Sequence, residues 1–309
     1  MKMNNNRILI TGAGGFIGKS LTEYLKISHT VFAAKHSDLE LLELESIKKY
    51  TEINKIHTII HCASVGGSRK TGYDSGKTDV VGKNLKMFFN MVNNFGMVEK
   101  IIHLGTGAEY DLRNYIPKMS EEYFGKHIPI DDYGFSKYVC SKYIEKNDNI
   151  INLRLFGIFG KYEDYRFKFI TNSIVKNILG MPIVINQNVF FDYLYVNDFV
   201  KICEYFIDNT TKHKFYNVTT GQSIDLVSIA NIINEISENK TEIIVNNPGL
   251  NTEYSGDNTR LLSELPGFTF TPIKTAIKEL YRLFQEQLDG IDKDCIIKDE
   301  YINYCRVKK

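Results

Sequence analysis

Tyr133 and Lys137, four residues apart in YGFSKYVCSKYIEK, fall on one face of any helix they share. A phenol with an ordinary pKa of ~10 is a poor acid or base near neutrality, and a neighbouring ammonium favours its phenolate. That pair suits proton transfer to or from the oxygen of a carbinol or carbonyl. Thr106, at the carboxyl end of the apolar run KIIHLGT, offers a hydroxyl to the same oxygen. Alone, a Tyr-x-x-x-Lys spacing is common on solvated helix faces, and a threonine at a strand end is often an ordinary turn hydroxyl. Its weight comes from where it sits, after the fourth β-branched apolar run of the chain.

The elements that must position these residues begin at Arg7. RILITGAGGFIG runs an apolar strand into a turn with Gly12, Gly15 and Gly18, and an amphipathic helix follows. Such glycines permit a tight turn, close approach of backbone N–H groups to a pyrophosphate, and helix–strand packing, with the helix N-terminus facing negative charge. Short β-branched runs then alternate with helical segments: Arg7 to Thr11, Thr30 to Ala34, Thr58 to Cys62, Lys100 to Leu104 and Ile150 to Leu155. Consecutive apolar positions, as in HTIIHCAS, suit strands covered on both faces. The expected fold is therefore α/β, a Rossmann-type doubly wound parallel sheet with a smaller C-terminal substrate-binding lobe. Chemistry belongs just beyond the strands, at 12–18, 35–38, 63–69, 106–110 and 156–165.

The expected cofactor domain is 1–157, with 189–215 returning to it. The second lobe takes 158–188 and 216–285, where GMP, NNPG and PG punctuate shorter segments, and 286–309 is a mixed-charge tail expected at the surface. A net charge of +1 excludes a global field for nucleic acid or an anionic membrane. Five scattered cysteines without C-x-x-C spacing argue against disulfides and zinc, and reduced thiols fit a cytoplasmic protein. The histidines show no metal-ligand spacing, and neither a signal peptide nor a membrane span is expected.

From residue 7 to 284 the chain resembles the extended short-chain dehydrogenase/reductases that act on nucleotide sugars. The landmarks come in order: TGAGGFIG (11–18), IIHCAS (59–64), Asn84, HLGTGAEY (103–110), YGFSK (133–137), LRLFGIFG (153–160), DYLYVND (192–198), YNVTTGQSIDLVSIA (216–230) and DNTRLLSELPGF (257–268). SDLELLELESI (37–47), ASVGG (63–67), LGTGAEY and DNTRL resemble 4-keto sugar reductases of the GDP-L-fucose synthase type. The likeness implies that Thr106, Tyr133 and Lys137 are catalytic. It implies cofactor contacts from Gly12, Gly15, Phe16, Ile17, Gly18, Lys35, His36, Leu42, Cys62, Ala63, Ser64, Asn84, Tyr133 and Lys137. Substrate contacts fall on Gly66, Gly67, Thr106, Gly107, Phe156, Lys168, Lys176 and Arg260.

Departures narrow the chemistry. Sugar dehydratases place an Asp-Glu pair after the catalytic Ser/Thr; here stand Gly107 and Ala108, and Glu109 is one place late on an alternating segment. The synthase's epimerising cysteine and histidine are matched by Ala108 and Lys168. The family arginine before DYLYVND is Phe191, so Lys168, Lys176 and Arg260 are the candidate diphosphate partners. The second strand ends in Lys35-His36-Ser37 with no acid until Asp38, which favours NADP(H) over NAD(H) within an NAD(P) site.

The simplest function is a 4-keto reductase in polysaccharide precursor synthesis. A C4 dehydrogenase or 4-epimerase uses the same three residues, and a non-catalytic cofactor-binding protein is the alternative of a different class. A homodimer or tetramer is expected from the apolar helices carrying Met87, Phe88, Met91 and Phe95, and Tyr138, Tyr143 and Ile144.

Overall fold

The computed structural model describes residues 6–67, 79–93, 98–305 and 307. Its first half alternates as the apolar runs predict: β1 (Arg7–Thr11), α1 (Phe16–Leu25), β2 (Thr30–Ala33), α2 (Leu44–Ile53), β3 (Thr58–His61), α3 (Val80–Val92), β4 (Lys100–Thr106), α4 (Asp132–Ile144) and β5 (Ile150–Leu155). The second half follows as β6 (Gly157–Phe159), α5 (Phe169–Ile178), β7 (Ile183–Asn188), β8 (Phe190–Tyr195), α6 (Val196–Asp208), β9 (Phe215–Val218), β10 (Ser223–Asp225), α7 (Leu226–Ile236), β11 (Ile243–Leu250), α8 (Thr259–Glu264), α9 (Ile273–Glu286), α10 (Lys293–Lys298) and α11 (Glu300–Asn303).

Six strands form a parallel sheet in the order β2-β1-β3-β4-β5-β9. Strand alternation sends Ile8 and Ile10 to one face, under α1 and α6, and Leu9 to the other, with Ile47, Phe88, Met91 and Ile144 of α2, α3 and α4. This is the doubly wound arrangement. The chain runs from β1 outward to β2 and then back across to β3, so the crevice for a ligand lies between β1 and β3.

Beyond β5 a second core gathers Phe169 and Ile174 of α5, Ile183 and Ile185 of β7, Ile229 and Ile233 of α7 and Ile277 of α9. Two small sheets accompany it, β10-β8-β6 and β11-β7. The C-terminal segment departs from the expected surface tail. Ile296 and Tyr301 are buried in this second core, and Asn186 donates to the Cys305 carbonyl at 3.0 Å.

Met87, Phe88 and Met91 are buried within the chain, as are Tyr138 and Ile144, while Tyr143 meets Phe88 and Phe89 edge to face. Their burial is within the chain and so carries no argument for a dimer; Phe95 and Arg69 lie outside the described residues. Among the described residues no helix is long and apolar enough to cross a membrane, and no three His, Cys, Asp or Glu cluster as metal ligands. Cys62, Cys140, Cys203, Cys295 and Cys305 are free thiols.

Candidate active site

The glycine turn is built as its spacing predicts. Gly12 has φ +64°, and a Cβ there would stand 2.8 Å from the Ala63 Cα across the β1–β3 crevice, so only glycine fits. Gly18 packs as closely on the Gly12 carbonyl, while Gly14 faces open space. The turn closes by Gly15 N–H to the Gly12 carbonyl at 3.0 Å, and α1 starts at Gly15 with no side-chain cap and no acid in its first turn. Its N-terminal N–H groups are thus left for an anion.

A groove of about 790 Å³ opens here, lined by Thr11–Gly15, Ala33–His36, Leu39–Leu42, Cys62–Val65, Lys83 and Met87. Lys35, His36, Leu42, Cys62, Ala63 and Ser64 all line this groove. Phe16 and Ile17 turn their side chains into the two hydrophobic cores instead, so they meet a ligand at most through backbone. Asp38 is spent locally, its carboxylate accepting from the Lys35 N–H at 3.1 Å and the Ser37 hydroxyl at 3.0 Å. Burial pushes the Cys62 thiol up to about 12, so it is neutral at physiological pH.

Asn84 acts on the protein more than on a ligand. Its carboxamide accepts from Val65 N–H at 2.8 Å and donates to the Val65 carbonyl at 2.9 Å and the Ser136 hydroxyl at 3.1 Å. It thereby ties the loop after β3 to α4. Gly67, at φ +71°, lies so close to the Tyr133 ring that a Cβ would come within 2.5 Å of Cζ, and Gly66 borders the same ring. Tyr133 is half-buried on this glycine pair at the start of α4. One turn on, Lys137 is buried and donates to the Leu104 carbonyl at 2.8 Å. Burial lowers its pKa, against the pull of Cys140 and Glu109.

Thr106 ends β4 and caps a short 3-10 turn (Gly107–Tyr110): its hydroxyl accepts from Ala108 N–H at 3.3 Å, and the Glu109 carboxylate accepts from Thr106 N–H at 2.9 Å. Glu109 is fully buried. It accepts from Arg154 Nε at 2.6 Å and from the Ser141 hydroxyl at 2.6 Å. Burial works against the Arg154 charge, but Tyr110 and Glu109 outweigh it and raise the guanidinium pKa; the rings of Tyr110, Phe124 and Phe215 surround it at 4.3–5.1 Å. Glu109 thus faces away from any substrate and fastens the turn that carries Thr106 to β5 and α4. Its role was invisible in sequence beyond its being one place late.

The candidate phosphate partners divide. Lys168 is half-buried at the N-cap of α5. Lys176, at the far end of that helix, is buried and ion-paired with Asp299 of the C-terminal segment at 2.7 Å. Arg260 pairs with Glu122 and donates to the carbonyl of Phe215, the first residue of β9. In a parallel sheet that end is opposite the one bearing Thr106, so Arg260 does not stand ready at the crevice, and Lys176 is already held by Asp299. Both corrections have one cause, acids distant in sequence that claim the cation.

Tyr254 was missed altogether. It reaches Gly107 and Phe156 from the loop after β11: a Cβ on Gly107 would stand 2.5 Å from the Tyr254 hydroxyl and 2.8 Å from the Phe156 ring. Phe191, where the resemblance expects arginine, joins these rings at 5.9 Å from Tyr254.

Residues 8–219 match the profile described as the NAD dependent epimerase/dehydratase family. An ADP-L-glycero-D-manno-heptose-6-epimerase of Brachyspira hyodysenteriae is 23% identical over 271 residues, covering 74% of this chain and 80% of the relative. A GDP-L-fucose synthase of Dictyostelium discoideum is 24% identical over 314 residues, covering 93% and 97%. Among solved structures, a GDP-mannoheptose C4 reductase from Campylobacter jejuni with NADP bound superposes with TM-score 0.75 at 18% identity, over 92% of this chain and 99% of that one. At that identity the likeness is one of fold.

Proposed function

The chain belongs to the NAD dependent epimerase/dehydratase family, and on that premise we propose that it is an NADP(H)-dependent oxidoreductase that reduces a 4-keto group on a nucleotide-linked sugar. The observation that carries this reading is that Lys137, one turn after Tyr133 on α4, is held on the Leu104 carbonyl two residues before Thr106, while the Tyr133 ring packs on Gly67 next to a glycine-turned groove of about 790 Å³. Relatives named for GDP-L-fucose synthesis and for C4 reduction support it.

The glycine turn and the N-terminus of α1 are the groups to hold a pyrophosphate, and Lys35 and His36 on the groove wall face the position of a 2′-phosphate. Asp38 is turned into its own loop, away from the role of accepting a ribose 2′-hydroxyl. The bound nicotinamide supplies the hydride. Tyr133 gives its proton to the carbonyl oxygen as that oxygen gains charge, and the Thr106 hydroxyl donates to the same oxygen. Lys137, fixed on the Leu104 carbonyl one turn away, restores the tyrosine's proton and steadies its phenolate. Gly107 and Ala108 lack the acid and base that elimination of water requires, and the buried Glu109 cannot replace them.

A C4 dehydrogenase or 4-epimerase would use the same three groups, and a relative named GDP-6-deoxy-D-talose 4-dehydrogenase, 24% identical, supports that second reading. The deciding experiment incubates the protein with NADPH and nucleotide-linked 4-keto-6-deoxy sugars, following absorbance at the nicotinamide band and the product by NMR. Stoichiometric NADPH consumption with formation of a 4-hydroxy sugar is expected. NADH that copurifies with the protein and is never consumed in net reaction would overturn the reductase in favour of the epimerase.

A further inference from the structure

We propose that Tyr254 is a substrate-contacting residue, delivered from the small lobe to complete the sugar side of the site next to Thr106. The inference rests on the nucleotide-sugar reading above and names a residue that reading leaves out.

The backbone of Tyr254 is fixed on both sides of its ring. Its N–H donates to the Phe190 carbonyl at 2.9 Å, and its carbonyl accepts from Asp192 N–H at 3.1 Å, an isolated parallel bridge with Phe191. The next residue accepts from the Tyr115 hydroxyl at 2.8 Å through its carbonyl. From this anchor the ring runs between Phe156 at 5.2 Å and Tyr115 at 5.0 Å, and remains half-buried. Its hydroxyl ends 2.5 Å from where a Cβ on Gly107 would be.

Tyr254 therefore occupies the side-chain space of the residue directly after Thr106. In place of a group carried by the strand end, the site presents a phenol hydroxyl from the opposite lobe. That hydroxyl can donate to, or accept from, a sugar oxygen neighbouring the reacting carbon, while the faces of Phe156 and Tyr254 suit the C–H side of a pyranose. The same placement explains why residue 107 is glycine. Any side chain there would displace the phenol and narrow the pocket.

The test uses the NADP⁺-loaded protein and isothermal titration with GDP-L-fucose and dTDP-glucose, each set against GDP or dTDP alone. Tyr254→Phe keeps the ring packing and removes only the hydroxyl. The sugar nucleotide that binds wild type is expected to weaken about 10-fold, as for one lost hydrogen bond in a dry site, while the bare nucleoside diphosphate is unchanged. Gly107→Ala, which pushes the phenol aside by another route, is expected to show the same split. Equal affinities of Tyr254→Phe and wild type for the sugar nucleotide overturn the proposal, as does an equal loss for sugar nucleotide and bare nucleotide, which marks a purely structural role. A wild type that binds no sugar nucleotide more tightly than its nucleoside diphosphate refutes the substrate reading and this proposal together, a result distinct from either of those.

Discussion

His61 and His103 make the fold acid-sensitive in a way that one substitution should halve. The two rings stack at 5.5 Å between β3 and β4, both fully buried. His61 Nδ1 shares a hydrogen bond with the Thr11 hydroxyl at 2.9 Å, whereas neither nitrogen of His103 has a partner among the described residues. Burial lowers the His61 pKa to about 3, with Lys137 adding to the effect, and burial, Lys137 and His61 hold His103 well below its ordinary range. Both rings stay neutral in the folded state while each gains a proton on unfolding below ~6.5. The unfolded state then binds more protons, so stability is lost as pH falls. At pH 5 the loss is about 2 kcal/mol per ring, or about 4 kcal/mol for the pair, a large share of a total of ~5–15 kcal/mol. Glu121 and Asp192, whose carboxyls burial raises, act in the opposite sense, but their contribution is common to wild type and variant, so the difference between the two proteins isolates the ring. The chain has no tryptophan, and urea unfolding is best followed by far-UV circular dichroism. His103→Met preserves volume and removes an unpaired buried polar ring. Stability at pH 7 is expected to hold or rise, and the difference between pH 7 and pH 5 to fall by about 2 kcal/mol. A variant that keeps the full wild-type pH dependence would refute the reasoning.

Tyr133→Phe should lower turnover by about 10² or more with cofactor affinity nearly unchanged, because Lys137 and the glycine turn remain; near-wild-type kcat removes Tyr133 from the proton path. Replacing Lys35 and His36 by alanine should weaken NADP(H) more than NAD(H), read as the ratio of the two dissociation constants. An unchanged ratio would make both mere surface residues. Glu109→Ala leaves the Arg154 guanidinium buried and uncompensated, and should cost about 3–5 kcal/mol in urea unfolding at pH 7; a loss under about 1 kcal/mol would show that the pair is not the fastening of the Thr106 turn.

What was legible in the sequence is what depends on neighbours a few residues away. The glycine turn is written in consecutive residues, and the strands in consecutive apolar positions; β4 runs two residues past its expected end at Leu104, to Thr106. The Tyr133–Lys137 spacing needs only a helix to acquire its meaning. What was not legible depends on distant partners. Lys176 meets Asp299, and Arg260 meets Glu122, 138 residues away. No local pattern marks either cation as already paired. Tyr254 comes to Gly107 through a single bridge to β8, which no periodicity announces. Met87, Phe88 and Met91 looked too many for one buried face, yet Phe88 and Met91 pack in the core beside the sheet and the His103 ring, and Met87 borders the groove.

The order of strands in the large sheet bears on how the chain is made. β9 closes the edge of β5, but the chain reaches it only after β6, α5, β7, β8 and α6 have been synthesised. At about 5–20 residues per second, β5 waits about 3–13 s on the ribosome for its partner strand. During that interval IINLRL shows a bare, largely apolar edge, the kind of template on which strands of other chains add. Arg154 and Asn152 sit in this edge, charged and amide groups with their buried partner Glu109 already synthesised. A nascent chain halted before Phe215 exposes that unfinished edge, and synthesis that slows between β5 and β9 prolongs the exposure.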